Sequence, residues 1–200
     1  MIYVDSAKVA VWTPPISLEG RSIYRSFKSD LEVRCVNGIL RPYARRDNGR
    51  PVRLFEIGTH AGRSLIVFDS IIFNMQIHSL DVYKDVCLQS VVDLLPHEEV
   101  GKVARDHGVN YTQHWVNSGN FDLNKLGHFD IIYIDGDHSF KAVMADTQVV
   151  KKVLEEGGTI IWHDSDHPET LRAIKELDQW LFNGEIIYVE GTSLCYWRMQ

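Results

Sequence analysis

Acidic and histidine side chains follow two apolar segments of the sequence at corresponding places. Asp135 and His138 lie in IYIDGDHSF, and His163 and Asp164 lie in IIWHDSDH. If the two apolar segments are neighbouring strands, roughly 5 Å apart, the carboxylates of Asp135 and Asp164 converge on one point. Carboxylate oxygens suit Mg²⁺, whereas imidazole nitrogens shift the preference toward Mn²⁺, Fe²⁺ or Zn²⁺. The spacing predicts a site for a divalent cation or a hydroxyl group, with plain helix capping as the alternative.

A loop with two glycines follows an earlier apolar segment, in the sequence FEIGTHAGRS. Gly58 and Gly62 permit a sharp turn and the close approach of a ligand to the backbone. The helix that follows presents free backbone N–H groups at its N-terminus. The dinucleotide fingerprint is Gly-x-Gly-x-x-Gly, but here His60 stands where a middle glycine is common. The loop indicates a ligand site, and an ordinary strand-to-helix turn is the alternative.

Two further strand ends carry polar residues. Asp81 lies nineteen residues beyond Gly62, where an acid can accept hydrogen bonds from the hydroxyls of a ribose. Helix capping is the alternative role for Asp81. Ser118 and Phe121 follow the next strand, where they could contact the edge and the face of an adenine, or form a plain turn. Together with the glycine loop, Asp81 indicates a ligand of the adenosine type.

The elements that must position these residues alternate between strand and helix. Apolar strands are predicted at VRLFEI, IHSLD, YTQHWV, FDIIYID and TIIWHD, and EIIYVEGTSLCYWRM is typical of a closing hairpin. Helices are predicted between them, including one over SFKAVMADTQVVKKVLEEGG that stops at Gly157 and Gly158. This alternation predicts an α/β fold with a parallel sheet covered on both faces. Ligands of such sheets bind at the carboxyl ends of the strands.

The sequence changes character near Pro51. Residues 1–53 contain ten Lys and Arg against five Asp and Glu, a net charge of +5, and the remainder has a net charge of −11. We therefore expect residues 1–50 to form a basic extension with a helix from about Ser17 to Arg34. This extension would contact the substrate or another subunit, and residues 51–200 would form the ligand-binding domain.

Composition excludes several classes of protein. The 200 residues are 44% hydrophobic and 24% charged, which are ordinary values for one globular domain. The net charge of −6 makes nucleic acid an unlikely partner, because binding to phosphates requires clustered Lys and Arg. Three dispersed cysteines are not typical of a disulfide scaffold. We find neither a membrane-spanning segment nor a signal peptide, so we expect a cytoplasmic protein.

Three segments resemble the class I S-adenosylmethionine-dependent methyltransferases. FEIGTHAGRS is similar to the first motif of that family, Leu80-Asp81 to the second, and FDIIYIDGDHSF to the fourth. The run from IDGDHSF through Asp146 to LEEGGTIIWHD resembles the branch that methylates hydroxyls of small molecules. The resemblance covers Val52 to about Met199. It implies a doubly wound, mostly parallel sheet of seven strands with an antiparallel terminal strand.

The resemblance also implies roles for individual residues. The set that would bind S-adenosyl-L-methionine is Glu56, Gly58, Thr59, His60, Gly62, Ser64, Asp81, Ser118, Phe121 and Asp135. The set that would hold Mg²⁺ or another divalent cation in metal-dependent branches is Asp135, His163 and Asp164. Related sugar O-methyltransferases have a general base at the position of His138. The fifth-strand pair is usually acidic in the family, so His163 is a departure.

These observations predict methyl transfer to the hydroxyl of a sugar, a phenol or a natural product. We expect His138 to act as the base, Asp135 to contact the reacting groups, and His163 to be the competing candidate for the base. Three other functions remain open: a binding module without turnover, an NAD-binding oxidoreductase, and a nucleic-acid methyltransferase that grips phosphates with Arg41 to Arg53. The resemblance also admits a homo-oligomer.

Overall fold

The computed structural model describes residues 2–11, 17–18, 21–22, 27–45, 49–83, 94–180 and 185–200. The strands are β1 (Ile2–Asp5), β2 (Ser17–Leu18), β3 (Arg21–Ser22), β4 (Val52–Ile57), β5 (Met75–Asp81), β6 (Tyr111–Trp115), β7 (Phe129–Ile134), β8 (Leu154–Trp162), β9 (Ile187–Glu190) and β10 (Cys195–Arg198). The helices are α1 (Ser6–Val9), α2 (Asp30–Ala44), α3 (Arg63–Ile71), α4 (Lys102–Asp106), α5 (Phe140–Lys151) and α6 (Pro168–Trp180). Two 3₁₀ turns cover Ser118–Asn120 and Leu123–Leu126.

Eight of the strands form one sheet in the order β1-β9-β10-β8-β7-β4-β5-β6. Every neighbouring pair is parallel except those made by β10, which is antiparallel to both β8 and β9. The predicted mostly parallel α/β fold with an antiparallel terminal strand is confirmed. The sheet has eight strands rather than seven because the N-terminal β1 pairs with β9.

The strand order reverses beside β4. The chain runs outward from β4 through β5 to β6, and then returns to place β7 on the other side of β4. Ligands of doubly wound sheets bind at such a reversal, in the crevice beyond the carboxyl ends of the strands. The ends of β4 and β7 are Ile57 and Ile134, so the predicted site residues Gly58 and Asp135 lie next to the reversal.

Apolar side chains cover the sheet on both faces. All six residues of β7 are buried, as expected for a central strand of a parallel sheet. Helices α2 and α3 pack on one face, through residues that include Val36, Leu40, Leu65 and Phe68. Helices α5 and α6 pack on the other face, through residues that include Val143, Val150, Ile174 and Leu177.

The predicted N-terminal helix is displaced in the structure. The segment 17–34 that we predicted to be helical contains β2, β3 and only the start of α2, and residues 19–20 and 23–26 lie outside the described residues. Helix α2 instead begins after Ser29, whose hydroxyl accepts a hydrogen bond from Glu32 N at 3.3 Å. Because α2 and β1 belong to the main core and sheet, residue 50 does not separate two cores.

Two other boundaries differ from the prediction. Helix α5 ends at Lys151, and β8 already begins at Leu154, so the predicted helix over 139–158 is too long. The start of β8 is irregular: Phe129 pairs with Leu154, but Ile131 pairs with Thr159. The glycines that we expected to stop the helix lie inside this irregular strand, where Gly157 has a φ of 71°. We expected one or two helices, broken at Pro96, over residues 83–107; among the described residues of this stretch only α4 is helical, and residues 84–93 lie outside the described part.

Arg50 and Arg53 of the basic segment lie at the opposite end of the strands from the predicted site. Arg50 pairs with the buried carboxylate of Asp130 at 2.7 Å, and Arg53 N donates to the same carboxylate at 2.9 Å. The Arg53 guanidinium donates to the carbonyls of Leu126 and His128 at 2.7 Å. These contacts are at the start of β4 and β7, so the described arginines 50 and 53 hold strands together and do not face the site. Of the helices described, none has both the length and the apolar composition to cross a membrane.

Candidate active site

The carboxyl ends of the parallel strands β4, β5, β7 and β8 bring the predicted site residues together at one end of the sheet. Backbone hydrogen bonds hold these ends in register: Gly58 N donates to Leu80 O at 2.9 Å, Asp135 N to Ile57 O at 2.9 Å, and His163 N to Ile134 O at 3.1 Å. Each strand is followed by a residue of the predicted set. The site is therefore built on the central, most buried strands of the sheet.

Gly58 lies at the closest approach of two strand ends. A Cβ atom at this position would lie 2.1 Å from Asp135 O and 2.9 Å from Gly136 N. Its φ of +98° is also in the region that favours glycine. Gly62, with a φ of +83°, forms the N-cap of α3. The glycine loop thus packs directly against the turn that carries Asp135.

Glu56 supports this loop from inside the protein. Its side chain is 0% exposed and accepts hydrogen bonds from the hydroxyls of Ser64 and Ser79. Thr59 is also buried and its hydroxyl lies 2.6 Å from the hydroxyl of Ser79. Burial raises the pKa of Glu56 to about 8, against the opposing effect of the two serine hydrogen bonds. Three predicted cofactor residues, Glu56, Thr59 and Ser64, therefore direct their side chains inward rather than to the open edge.

Asp81 reaches from β5 to the glycine loop. Its Oδ2 atom accepts a hydrogen bond from His60 N at 2.6 Å, and its Oδ1 atom accepts one from Val82 N at 2.7 Å. His60 has a φ of 44°, which orients its N–H toward the acid. Burial raises the pKa of Asp81, although these backbone hydrogen bonds oppose the shift. A carboxylate has about four acceptor sites, so Asp81 can still accept a hydrogen bond from a hydroxyl group.

The loop after β6 carries the two residues predicted to face an adenine. Ser118 opens a 3₁₀ turn, and Phe121 follows it with its ring 4.8 Å from the ring of His114. Asp146 on α5 is buried beneath this loop and forms a hydrogen bond with Ser118. Burial raises the pKa of Asp146 to about 6. Asp146, which the sequence motif includes, thus fixes the position of Ser118.

Asp135, His138 and Asp164 form a compact group at the ends of β7 and β8, which we call the acid–histidine group. One donor atom from each lies within 4.8 Å of the others. His138 Nε2 is 3.0 Å from Asp164 Oδ2 and 3.7 Å from Asp135 Oδ1. The backbone of Asp164 has a φ of 51°, a sparsely populated conformation for a residue other than glycine. The convergence of Asp135 and Asp164 that the sequence predicts is therefore present.

His163 lies behind this group. It is 5% exposed, and its Nδ1 atom is 3.2 Å from Asp135 Oδ1 and 3.1 Å from Asp164 Oδ2. Burial disfavours a charge on its ring, but Asp135, Asp164 and Glu32 outweigh burial and raise the pKa of His163 to about 12. Without a bound ion, His163 is therefore an imidazolium that neutralises the acids. Its burial leaves it poorly placed to meet an acceptor.

The charges of the group stabilise one another. The carboxylates of Asp135 and Asp164 raise the pKa of His138 to about 10, against its burial. The pKa of Asp164 lies well below its ordinary value, because His138, His163 and Lys28 outweigh the effect of burial. Lys28 Nζ is 2.8 Å from Asp164 Oδ1 and 2.5 Å from Asp166 Oδ1. In the absence of an ion, the protonated histidines and Lys28 therefore balance the charges of Asp135 and Asp164.

Sequence reasoning missed Lys28 and Glu32, which both come from the segment that leads into α2. Glu32 is 1% exposed and contacts His163, and Lys28 contacts Asp164. A usable signal was present, because Ser29-Asp30-Leu31-Glu32 has the Ser-x-x-Glu pattern of a capping box. That pattern would have placed the start of α2 correctly. It would not have revealed the contact with His163, 131 residues away.

Comparison with solved structures shows the same fold in several methyltransferases. The O-methyltransferase NovP superposes with a TM-score of 0.63 at 15% identity, over 84% of this chain and 78% of that chain. The calicheamicin methyltransferase CalS11 gives 0.60 at 14% identity, over 84% and 78%. MycE from the mycinamycin pathway, solved with Mg, S-adenosylhomocysteine and mycinamycin VI, gives 0.56 at 17% identity, over 81% of this chain and 48% of that chain.

Sequence comparison identifies the family. No curated protein sequence matches the chain. A family model described as a methyltransferase domain matches residues 55–165, which is more than half of the chain and spans the glycine loop, Asp81 and the acid–histidine group. The resemblance found in the sequence is thus confirmed, and the chain belongs to this family of methyltransferase domains.

Proposed function

We propose that the protein transfers a methyl group from S-adenosyl-L-methionine to the hydroxyl oxygen of a small molecule. The observation that carries the proposal is the position of the acid–histidine group, directly beside the glycine loop at the reversal of the sheet. The family match supports methyl transfer. The structural neighbours named an O-methyltransferase and a calicheamicin methyltransferase support an oxygen acceptor on a natural product or a sugar.

The residues at the carboxyl ends of the strands fit S-adenosyl-L-methionine. A Cβ at Gly58 would meet the backbone of Asp135, so the glycine allows the loop to pack against the turn that carries this acid. Asp81 offers lone pairs for the ribose hydroxyls, and Ser118 with Phe121 borders the adenine position. The acids at the other end, Asp135 and Asp164, favour a positively charged sulfonium. Glu56, Thr59 and Ser64 act in this proposal by holding the loop in shape.

The acid–histidine group also fits a divalent cation. His163 Nδ1 lies 3.2 Å from Asp135 Oδ1 and 3.1 Å from Asp164 Oδ2, so this ring nitrogen and the two acids converge on one point. The buried Nε2 atom of His138 has no well-aligned hydrogen-bond partner in the described chain and faces the same carboxylates. Two carboxylates and an imidazole would accept Mg²⁺ and would favour Mn²⁺, Fe²⁺ or Zn²⁺. The neighbour solved with Mg supports a metal here.

Methyl transfer to oxygen requires alignment and removal of one proton. When bound, the cofactor supplies a methyl group on a positively charged sulfur, and a divalent ion lowers the pKa of an alcohol near it. The bound cofactor would supply its methyl carbon to the acceptor oxygen, and the imidazole of His138 would take the hydroxyl proton. His138 is half-exposed at the open side of the group, whereas His163 is buried. We therefore assign the base to His138 and an ion-holding role to His163.

The pKa of His138 sets a condition on this assignment. With its pKa raised to about 10, the ring is protonated at neutral pH and cannot accept a proton. A cation on Asp135 and Asp164 withdraws the negative charge that stabilises the imidazolium, so the pKa of His138 falls. In this proposal His138 therefore acts as the base at neutral pH only when the ion is bound.

The test is the release of S-adenosylhomocysteine from S-adenosylmethionine and a panel of sugar nucleotides and catechols, with Mn²⁺ or with EDTA. We expect His138→Ala to lower turnover roughly 100-fold or more while its affinity for Mn²⁺ is retained. His128→Ala is the matched control, because His128 is exposed at the opposite edge and should leave turnover unchanged. A loss of Mn²⁺ affinity in His138→Ala would make His138 a ligand instead of the base. Unchanged turnover in His138→Ala would show that His138 is neither the base nor a required ligand of the ion.

A further inference from the structure

The carboxylate of Glu32 is buried between three elements that meet behind the site. Its Oε1 atom accepts hydrogen bonds from Ser193 N at 2.6 Å and from the Ser193 hydroxyl at 2.7 Å. Its Oε2 atom accepts one from Lys28 N at 2.5 Å and lies 3.5 Å from His163 Nε2. Glu32 belongs to α2, Ser193 to the turn between β9 and β10, and His163 to the end of β8. Glu32 therefore connects helix α2 and the hairpin of β9 and β10 to the candidate active site.

The two nitrogens of His163 face different partners. Nε2 faces Glu32 and the Ser193 hydroxyl, the latter at 3.2 Å. Nδ1 faces Asp135 Oδ1 and Asp164 Oδ2, at 3.2 Å and 3.1 Å. Phe27 packs its ring edge-on against His163 with the ring centroids 5.8 Å apart. The imidazole is thus held in a single orientation that presents only Nδ1 to the two acids.

We propose that Glu32 is a positioning residue that fixes the orientation of His163, so that Nδ1 is directed at the position shared by Asp135 and Asp164. In metal sites a ligating histidine almost always donates its other ring N–H to a carboxylate, a carbonyl or water, and this partner fixes the ring and its tautomer. Glu32 occupies the position of that partner. The inference rests on the proposed function, because it assigns to His163 the ion-holding role argued above.

Lys28 acts on Asp164 in a corresponding way. Its ammonium group pairs with Asp164 Oδ1 at 2.8 Å, which leaves Asp164 Oδ2 to face His163 and His138. Lys28 and Glu32 both precede or open α2, so one short segment orders both the acid and the imidazole. The segment that leads into α2 therefore contributes Lys28 and Glu32 to the surroundings of the candidate active site.

The test compares the variants Glu32→Ala, Glu32→Gln and Ser193→Ala with the wild-type protein. Tyr43→Phe is the matched control, because Tyr43 is a buried residue of the same helix whose hydroxyl bonds to Gly157 O at 2.9 Å, far from the site. One readout is the affinity for Mn²⁺, measured by calorimetry. The second is nitrogen NMR of ¹⁵N-histidine-labelled protein, which reports without any metal whether His163 Nε2 carries a hydrogen protected from exchange.

We expect Glu32→Ala to lose roughly 10- to 100-fold in Mn²⁺ affinity, and Glu32→Gln to lose less because its amide oxygen still accepts a hydrogen bond. Tyr43→Phe should keep the wild-type affinity. In the NMR experiment the protected Nε2 hydrogen of His163 should be present in the wild-type protein, weakened in Ser193→Ala and absent in Glu32→Ala.

Two results would overturn the proposal. The first is a folded Glu32→Ala protein with the wild-type Mn²⁺ affinity, and the second is an unprotected Nε2 in the wild-type protein. If the wild-type protein binds no Mn²⁺, the metal part of the proposed function fails. The NMR measurement then decides the role of Glu32 alone, so the two failures can be distinguished.

Discussion

Replacement of Gly58 by alanine tests whether the glycine loop is packed as tightly as the structure shows. The added Cβ would lie 2.1 Å from Asp135 O and 2.6 Å from Asp135 C, and both are backbone atoms that cannot rotate away. The φ of +98° adds strain of roughly 1–2 kcal/mol for a residue with a Cβ. Relief of the overlap requires β4 and β7 to separate at their ends, with loss of the Asp135 N to Ile57 O hydrogen bond.

The expected cost follows from these three contributions. Overpacking costs about 1–3 kcal/mol, and a lost backbone hydrogen bond about 1 kcal/mol more, so Gly58→Ala should lower the free energy of unfolding by roughly 3–6 kcal/mol. Gly108→Ala is the matched control, since Gly108 has a φ of +74° but no atom within 4 Å of its added Cβ. The control should lose only the strain, about 1–2 kcal/mol.

Urea unfolding followed by circular dichroism measures both changes, and calorimetry with S-adenosylhomocysteine measures the effect on the loop. Gly58→Ala should also bind S-adenosylhomocysteine more weakly than the wild-type protein, whereas Gly108→Ala should bind it equally well. Equal losses of stability in the two variants would show that the strand ends have room for a side chain at residue 58. That result would refute the close packing of Gly58 against the Asp135 backbone.

Three further predictions concern buried or edge-facing acids. The folded-state pKa of Glu56, about 8, exceeds its unfolded value, so its contribution to stability is fully present below about pH 4.5 and is lost as the pH rises through 8. The loss is at most about 5 kcal/mol, and urea unfolding of Glu56→Gln across this range should show a flatter dependence on pH. Asp130→Ala should destabilise the protein by roughly 2–4 kcal/mol, because the hydrogen bonds of this buried carboxylate with Arg50 and Arg53 N are lost, but calorimetry should find the affinity for S-adenosylhomocysteine unchanged. Asp81→Asn should weaken that affinity roughly tenfold or more in the same calorimetric titration, because one acceptor oxygen for the ribose is lost, and unchanged affinity would exclude a ribose contact.

The central part of the fold and the site could be predicted because its signals are local. Strands such as FDIIYI are continuous apolar segments, and the polar residue that follows each strand is adjacent in the sequence. Once the strands are parallel and neighbouring, Asp135 and Asp164 must converge, and the structure places them together. The resemblance of three motifs to one methyltransferase family predicted the family, which the family match confirms.

The parts that could not be predicted depend on contacts between distant segments. Glu32 and His163 are 131 residues apart, and nothing in the local sequence of either indicates the other. The inward direction of Thr59 and Ser64 depends on hydroxyl partners that the fold supplies, Ser79 and Glu56. The extra strand β1 is only four residues long and finds its partner near the other end of the chain. Short elements of this kind form because the sheet edge is available, not because of their own propensity.

The central claim is that the glycine loop and Asp81 bind S-adenosylmethionine, and calorimetric titration of the wild-type protein tests it most directly. Separate titrations with S-adenosylmethionine, S-adenosylhomocysteine and NAD, each with and without Mn²⁺, compare the possible ligands of this edge. Our account predicts binding of both S-adenosyl compounds and no binding of NAD. Binding of NAD alone, or of none of the three, would contradict it.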